Sequence, residues 1–250
     1  ISTGEMPDGF VVTAADMRDM IDATRFAIST EETRSYLNGI YLHKSDQGDL
    51  CAVATDGHRL ALTRQGLPSG AAGMPSIIVP RKAVTELRKL LDDVEGEVGV
   101  ALSDTRAEFT FGAVRLKTKL IDGTFPDYTR VIPQGNDRIM QVDAASFSAA
   151  VDRVSTISSE KSRSVKMKLA PGVLNLSASS TDASSAVEEL EISYDGAEME
   201  IGFNARYLLD IASQVESDII EFALADQGSP SLVRAPGDES TLFVLMPMRV

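Results

Sequence analysis

An internal repeat constrains the fold of this chain more than any other feature of its sequence. Residues 28–35 read Ile-Ser-Thr-Glu-Glu-Thr-Arg-Ser, and residues 157–164 read Ile-Ser-Ser-Glu-Lys-Ser-Arg-Ser. Residues 100–104 and 222–226 are a second similar pair, and the two pairs occur in the same order. Repeats that keep their order indicate duplication of a structural unit rather than chance similarity. The sequence therefore predicts two similar domains in tandem.

The predicted boundary between the domains lies near residues 128–136, a segment that contains Pro133 and Gly135. Proline and glycine this close together mark a connection rather than a helix or strand. We place the domains at residues 1–130 and 131–250. Each has the usual size of a folding unit, and a chain with 43% hydrophobic residues can bury cores of this size without disulfides.

Hydrophobic periodicity predicts two helices among several strands in each domain. Met17, Met20 and Ile21 fall on the inner face of the first helix, and Leu90 is among the inner residues of the second. The predicted helices span residues 13–28, 81–91, 143–157 and 204–215. The strands alternate apolar and charged residues, which is typical of antiparallel sheet with one covered face. The predicted fold class is α+β, with two helices on one face of antiparallel sheet in each domain.

Composition excludes several classes of protein. Cys51 is the only cysteine, so an intramolecular disulfide framework is impossible and a reducing cytoplasm fits best. With two histidines and no cysteine cluster, the sequence predicts no metal and no cofactor. No apolar run approaches the length of a membrane span. The chain begins with neither a methionine nor a signal-peptide pattern, so we expect a fragment or a processed product.

The net charge of −13, taken alone, argues against a general nucleic-acid binder, but the charge is unevenly distributed. Residues 1–130 contain 15 basic and 19 acidic residues, whereas residues 131–250 contain 9 and 18. The basic residues of the first domain include a cluster on the predicted helix faces: Arg18, Arg25, Arg81, Lys82, Arg88 and Lys89. Two interpretations stay open for this cluster, an ordinary solvated helix face or a surface that contacts phosphate.

Residues 54–61 read Ala-Thr-Asp-Gly-His-Arg-Leu-Ala and permit two interpretations. A hydrolase could use His58 as a general base beside Asp56, but the sequence contains neither a Gly-x-Ser-x-Gly elbow nor a visible second catalytic group. Alternatively, Asp56 and Gly57 supply the positive φ angles of a type I′ hairpin turn. The hydrolase stays as a hypothesis from a different functional class, and loss of turnover on His58→Ala would support it.

Six segments together resemble the bacterial sliding clamp family, the beta subunit of DNA polymerase III. They are residues 35–39, 54–61, 79–82, 122–128, 196–204 and 244–250. These segments follow the order of that family along the whole chain, and in combination they are specific to it. The chain resembles the middle and C-terminal domains of the family, and the N-terminal domain of the family is absent from it.

The resemblance implies a protein that encircles duplex DNA and confers processivity on the replicative polymerase. In the family, two subunits form a homodimeric ring with helices facing DNA of any sequence. The implied partners are the DNA polymerase III alpha subunit, the clamp loader and repair polymerases, which insert clamp-binding motif peptides into a groove between two domains. The implied protein is a non-catalytic subunit of a DNA-directed DNA polymerase holoenzyme, cytoplasmic, with no cofactor and no membrane partner.

The resemblance also assigns functional residues position by position. The peptide-binding groove corresponds to Leu37, Thr55, Gly57, His58, Arg59, Leu60, Pro126, Arg130, Val131, Tyr207, Val244, Met246, Pro247, Met248 and Arg249. The DNA contacts of the family correspond to Arg34, Tyr36, Arg81 and Lys82, and the subunit interface includes Thr156 and Ile157. Arg18, Arg25, Arg88 and Lys89 are DNA candidates only because of the helix faces on which they lie. A non-replicative adaptor on the clamp fold, which binds peptides but not DNA, is the third hypothesis beside the clamp and the hydrolase.

Overall fold

The computed structural model describes residues 5–158 and 163–249. The chain divides into two compact units, of which the first ends at Asp127 and the second begins at Tyr128. The predicted boundary after residue 130 lies close to this division. Each unit combines antiparallel sheets with two α-helices, which confirms the predicted α+β class.

The four predicted helices are all present. They are α1 (Ala14–Thr24), α2 (Arg81–Leu90), α3 (Ala144–Ser155) and α4 (Ala205–Gln214). Three of them begin after a residue whose side-chain oxygen accepts a hydrogen bond from the first turn, and these caps are Thr13, Asp143 and Asn204. Such a cap satisfies a backbone N–H that has no partner inside the helix. Short 3-10 helices cover Arg25–Ala27, Glu32–Leu37 and Tyr128–Arg130.

The first unit contains two four-stranded antiparallel sheets. Its strands are β1 (Asp8–Thr13), β2 (Gly39–Lys44), β3 (Asp49–Thr55), β4 (Arg59–Gly66), β5 (Ile77–Pro80), β6 (Glu97–Leu102), β7 (Arg106–Phe111) and β8 (Val114–Lys119). The strand orders are β1-β6-β7-β8 and β5-β2-β3-β4. Helix α1 packs against β3 and β4, and α2 packs against β2 and β5.

The second unit repeats this arrangement. Its strands are β9 (Arg138–Asp143), β10 (Ser164–Ala170), β11 (Val173–Ser179), β12 (Ser185–Glu191), β13 (Met199–Asn204), β14 (Ile219–Leu224), β15 (Ser231–Arg234) and β16 (Thr241–Leu245). The strand orders are β12-β11-β10-β13 and β9-β14-β15-β16, and all the pairs are antiparallel. Each unit therefore has the same succession of strands and helices, as duplication of one domain requires.

The cores follow most of the predicted apolar faces. Met17, Met20 and Ile21 of α1 are buried. The prediction that Leu90 faces inward is wrong, because 40% of this residue is exposed while Leu91 is fully buried. The buried residues Ala83, Val84 and Leu87 define the inner face of α2. At about 100° per residue, Leu91 falls within the arc that these residues span, whereas Leu90 falls outside it. No helix within the described residues is long and apolar enough to cross a membrane.

Candidate functional site

The loop between β3 and β4 is held by the side chain of Asp56. Oδ1 of Asp56 accepts hydrogen bonds from the backbone N–H groups of His58, at 2.9 Å, and Arg59, at 3.0 Å. Gly57 has a φ of +89°, but Ala183 is the only non-glycine residue in the described ranges with a positive φ. The predicted type I′ turn is therefore wrong. An aspartate that bonds the backbone two and three residues onward forms its own turn and needs no second positive φ.

Arg59 is fastened inside the first unit. Its Nε lies 3.3 Å from Oδ2 of Asp56, and the two side chains are only 11% and 16% exposed. Its Nη2 donates to the backbone carbonyl of Phe26 at 3.0 Å, and the guanidinium lies 5.2 Å from the centroid of the Phe26 ring. These contacts join the start of β4 to the segment that follows α1. Arg59 thus supports the loop, and only part of its surface is open to a ligand.

The hydrolase hypothesis finds little support in this geometry. Both carboxylate oxygens of Asp56 already have partners in the loop backbone and in Arg59. A carboxylate used in this way is not available to orient a catalytic imidazole, although His58 itself is exposed. No group of three or more histidine, cysteine, aspartate or glutamate side chains in the described part of the chain could hold a metal ion.

Arg34 connects a predicted DNA-contact segment to this loop. Its Nη2 lies 2.8 Å from Oε2 of Glu31 and donates to the backbone carbonyl of Asp56 at 3.4 Å. The hydrogen bond to Glu31 raises the pKa of Arg34, so this guanidinium stays charged. A Cβ atom at Gly57 would lie 3.0 Å from Nη1 of Arg34. The guanidinium therefore occupies the space that the glycine leaves open. Tyr36, from the same segment, is half-buried.

Helix α2 presents two kinds of basic side chain. Arg81 and Lys82, at its start, are exposed and make no ion pair with any residue that the structure describes. Arg88 lies 2.7 Å from Oδ1 of Asp22 and 3.3 Å from Oδ1 of Asp92. Lys89 is exposed and lies 3.6 Å from Oε1 of Glu86. The start of α2 therefore carries the accessible positive charge, and its end is largely neutralised.

Helix α1 is less basic than its sequence suggests. Arg18 donates from Nη1 to the backbone carbonyls of Leu91, at 2.7 Å, and Val94, at 2.6 Å, so it ties α1 to the end of α2. Arg25 is exposed and has no ion pair with a described residue. Partial burial, followed by the nearby carboxylates of Asp16 and Asp22, raises the pKa of Asp19. Three carboxylates of α1, those of Asp16, Asp19 and Asp22, therefore precede Arg25, which directly follows the helix.

The groove candidates of the first unit are mixed in exposure. Leu37 and Leu60 are only 3% and 2% exposed, whereas Pro126, Gly57 and His58 are exposed. Thr55 donates from Oγ1 to the backbone carbonyl of Arg59 at 2.7 Å and accepts from the N–H of Gly57 at 3.1 Å. Among the candidates of this unit, the two leucines are therefore part of the core, and the loop and Pro126 are accessible to a ligand.

The groove candidates of the second unit include an exposed apolar tail after β16. Val244 is 2% exposed, but Met246 and Met248 are 39% and 38% exposed on either side of Pro247. The backbone N–H of Met248 donates to the carbonyl of Gly202 at 2.7 Å, which fastens the tail to β13. The other candidates of this unit range from half-buried to exposed: Tyr207, Arg130, Val131 and Arg249.

The predicted interface residues lie just after α3. Thr156 is exposed and donates from Oγ1 to the carbonyl of Arg153 at 2.8 Å, and Ile157 is half-buried. Val187 was not among the predicted interface residues, but it is 65% exposed on β12, an edge strand of its sheet. An apolar residue on the open edge of a sheet is a common pairing surface. In the sequence, Val187 could be recognised only as an apolar residue next to Glu188 and Glu189.

Comparison with known proteins gives a consistent result. A family model described as the central domain of the DNA polymerase III beta subunit matches residues 11–127, and a model of its C-terminal domain matches residues 129–249. The beta sliding clamp of Caulobacter vibrioides (strain NA1000 / CB15N) is 49% identical over 253 residues, which cover 100% of this chain and 68% of that protein. The beta sliding clamp of Escherichia coli (strain K12) is 35% identical, with coverage of 96% and 65%.

A solved structure has the same fold. The sliding clamp from Bartonella birtlesii, solved bound to griselimycin, is 49% identical and matches with a TM-score of 0.98. The match covers 100% of this chain and 68% of that protein. The similarity therefore extends over every described element, and the chain spans about two thirds of these relatives.

Proposed function

This chain belongs to the family of the DNA polymerase III beta subunit and has the function of a sliding clamp in DNA replication, and on that premise we propose which of its residues contact DNA, bind peptides and contact a second subunit. One surface contacts duplex DNA through phosphate, and another binds short peptides of the proteins that use the clamp. The observation that carries the proposal is the match of two successive clamp-domain models over nearly the whole chain.

The DNA surface is assigned first to Arg81 and Lys82. Both are exposed at the start of α2, and neither is paired with a described carboxylate, so they can meet phosphate without first breaking an ion pair. Arg25, which is exposed directly after α1, is a further candidate, and Lys89 is a weaker one because it already has Glu86 as an ion-pair partner. Contacts to phosphate carry no sequence information and weaken with salt, which suits a protein that must slide along DNA.

Arg18 and Arg88 have a supporting role in this proposal. Each already makes two or more hydrogen bonds within the first unit. Arg88 joins α2 to Asp22 of α1, and Arg18 joins α1 to the carbonyls of Leu91 and Val94, which follow α2. A guanidinium held by Asp22 at 2.7 Å gains little from a phosphate, because its charge is already compensated. We therefore assign these two arginines to holding the helices in place.

The peptide surface is assigned to the exposed apolar residues among the groove candidates. Met246 and Met248 are flexible and polarizable, so they can adapt to different anchor residues of a peptide. Pro126, Val131 and His58 are also exposed. Within the first unit, Leu37 and Leu60 are buried and can support the exposed candidates of that unit, and Val244 can do the same within the second unit. The proposed ligands are clamp-binding motif peptides of the polymerase III alpha subunit, the clamp loader and repair polymerases.

Assembly of complete subunits is the third part of the proposal. We propose a homodimeric ring in the cytoplasm, in which Thr156, Ile157 and the open edge of β12 contribute to the contact with a second subunit. An exposed Val187 on an edge strand supports this assignment, since unpaired strand edges readily pair with another chain. The ring itself would catalyse no reaction and would serve the polymerase as a tether.

The decisive experiment is retention on DNA of different topology. The complete subunit is loaded onto nicked circular DNA by a clamp loader, and one half of the sample is then linearised. A sliding clamp stays on the circle and leaves the linear molecule through its ends. Equal retention on both forms would indicate ordinary binding, and peptide binding without retention on either form would favour the adaptor hypothesis.

A further inference from the structure

A cavity in the first unit is lined by none of the candidate residues for DNA, peptide or subunit contacts. Its volume is about 650 Å³, and its wall is formed by Tyr41 of β2, residues 76–78 at the start of β5, residues 104–106 before and at the start of β7, and residues 119–125. All of these residues belong to the first unit. A cavity of this size, with apolar and polar groups in its wall, has the dimensions of a ligand site.

The apolar part of the wall is held rigidly. The ring of Tyr41 stacks on the ring of Phe125, with centroids 4.6 Å apart and planes 5° apart, and it also stacks on the ring of His43 at 4.6 Å. Ile78 pairs with Tyr41 across the ladder of β2 and β5, so the two side chains lie on the same face of the sheet. Ile78 and Phe125 are buried, and Tyr41 is half-buried. The ring of Tyr41 is therefore oriented before any ligand binds, which lowers the entropic cost of binding.

The polar part of the wall carries both signs of charge. Lys119 lies directly opposite Arg106 in the ladder of β7 and β8, and like charges in this relation destabilise a sheet unless an anion lies near them. Lys119 is exposed and makes no ion pair with any residue that the structure describes. Asp104 and Asp122 are exposed in the same wall and are likewise unpaired among the described residues. A ligand of mixed charge matches this wall better than a simple anion does.

The duplication relates the cavity to the peptide surface proposed in the second unit. The backbone N–H of Ile121 donates to the carbonyl of Ile78 at 3.0 Å, as the N–H of Met248 donates to the carbonyl of Gly202 at 2.7 Å. Ile78 lies three residues before the first residue of α2, and Gly202 lies three residues before the first residue of α4. Ile121 in the first unit therefore occupies the position of Met248 in the second.

The cavity also adjoins a peptide candidate of its own unit. Phe125, in its wall, is followed directly by the exposed Pro126, and consecutive Cα atoms are only about 3.8 Å apart. A peptide bound at Pro126 thus has the cavity within reach of its flanking residues. Because a peptide can present an apolar side chain and both signs of charge along a few residues, it is the occupant that this wall fits.

We propose that the cavity binds an extended segment of a partner protein that lies outside the clamp-binding motif. In this segment an apolar side chain packs on Ile78 and Phe125, and a neighbouring carboxylate meets Lys119 and the hydroxyl of Tyr41. A basic side chain of the segment meets one of the two exposed aspartates. The inference rests on the proposed function, because it takes the chain to bind clamp-motif peptides, and it extends that binding to residues that the motif does not contain.

The test is calorimetric titration of the 250-residue chain with peptides that have or lack such a segment. The first probe is a Gln-x-x-Leu-Phe peptide. Two longer probes add Glu-Leu-Lys through a glycine and serine spacer, one at the amino end of the motif and one at its carboxyl end. A spacer of about six such residues spans about 13 Å. The control probes have Ser-Ser-Ser in place of Glu-Leu-Lys.

One of the longer probes should bind about fivefold more tightly than its control, since an exposed ion pair contributes modestly. Lys119→Glu should abolish this gain and leave the affinity for the motif peptide unchanged. Tyr41→Phe should reduce the gain, because it keeps the stacked ring and removes only the hydroxyl. Lys168→Glu is the matched control, since it makes the same charge change at an exposed lysine of β10, and it should keep the gain. Circular dichroism melting checks that the variants are folded.

Two outcomes would overturn the inference while the motif peptide still binds and the proposed function stands. One is the absence of any gain from Glu-Leu-Lys at either end of the motif. The other is a gain that survives Lys119→Glu, because the segment would then bind elsewhere on the chain. If neither the motif peptide nor the longer probes bind the parent chain, the proposed peptide surface fails together with the inference.

Discussion

Arg34 donates a hydrogen bond from its guanidinium to the backbone carbonyl of Asp56, at 3.4 Å. This bond places a residue from the predicted DNA-contact segment directly against the loop assigned to peptide binding. Gly57 has no side chain, and a Cβ atom at this position would lie 3.0 Å from Nη1 of Arg34, so the guanidinium would have to shift. A residue that the sequence assigned to DNA therefore also contacts this loop, in addition to the hydrogen bonds that Asp56 makes within it.

Replacement of Gly57 by alanine should disturb peptide binding more than stability. The new Cβ would lie 3.0 Å from Arg34 Nη1, and a φ of +89° is unfavourable for alanine by about 1 kcal/mol. Gly48→Ala is the matched control, because Gly48 has a φ of +84° with no atom within 4 Å of a new Cβ. We expect similar losses in urea unfolding but weaker peptide binding only for Gly57→Ala. Equal peptide affinities would show that Arg34 does not position the loop.

The basic residues of α2 should separate into two functional groups. Arg81→Gln should leave the free energy of unfolding nearly unchanged and weaken DNA binding, because Arg81 is exposed and unpaired among described residues. Arg88→Gln should lose up to about 1 kcal/mol of stability, since its partly exposed pair with Asp22 links two helices. Chemical unfolding and duplex anisotropy on both variants test this. A loss of DNA binding confined to Arg88→Gln would reverse the assignment.

Asp19 should make stability depend weakly on pH. Partial burial and the carboxylates of Asp16 and Asp22 raise the pKa of Asp19 above its usual 3.8, while Arg18 and Arg88 oppose this shift. A carboxyl group with a raised pKa in the folded state destabilises the fold once it ionises, so its cost appears as the pH rises through that pKa. Asp19→Asn should therefore raise the melting temperature slightly at pH 7 and have no effect at pH 3. A variant less stable than the parent at pH 7 would contradict this sign.

The apolar tail should contribute directly to peptide binding. Met246→Ala/Met248→Ala removes two exposed side chains, and anchor contacts in such surfaces are often worth about 2 kcal/mol or more. Calorimetric titration with a Gln-x-x-Leu-Phe peptide should show more than about a tenfold loss of affinity. Val11→Ala is the control, because Val11 is 49% exposed on β1 and lies outside the candidate surface. If both variants bind as the parent does, the peptide surface lies elsewhere.

Local sequence determined the elements of this fold. Helices and strands depend on periodicity and capping over a few residues, so Thr13 and Asp143 indicated where α1 and α3 begin. The repeat determined that the same succession of elements occurs twice. The predictions for Leu90 and for the turn at Asp56 were wrong for two different reasons. Packing decides whether Leu90 or Leu91 is buried, and the side-chain hydrogen bonds of Asp56 decide the type of turn.

Tertiary structure alone decided which cations are available to a ligand. Arg88 and its partner Asp22 are 66 positions apart, and Arg18 and the carbonyl of Leu91 are 73 positions apart. No local pattern distinguishes these arginines from Arg81, because pairing depends on which distant groups the fold brings within hydrogen-bond distance.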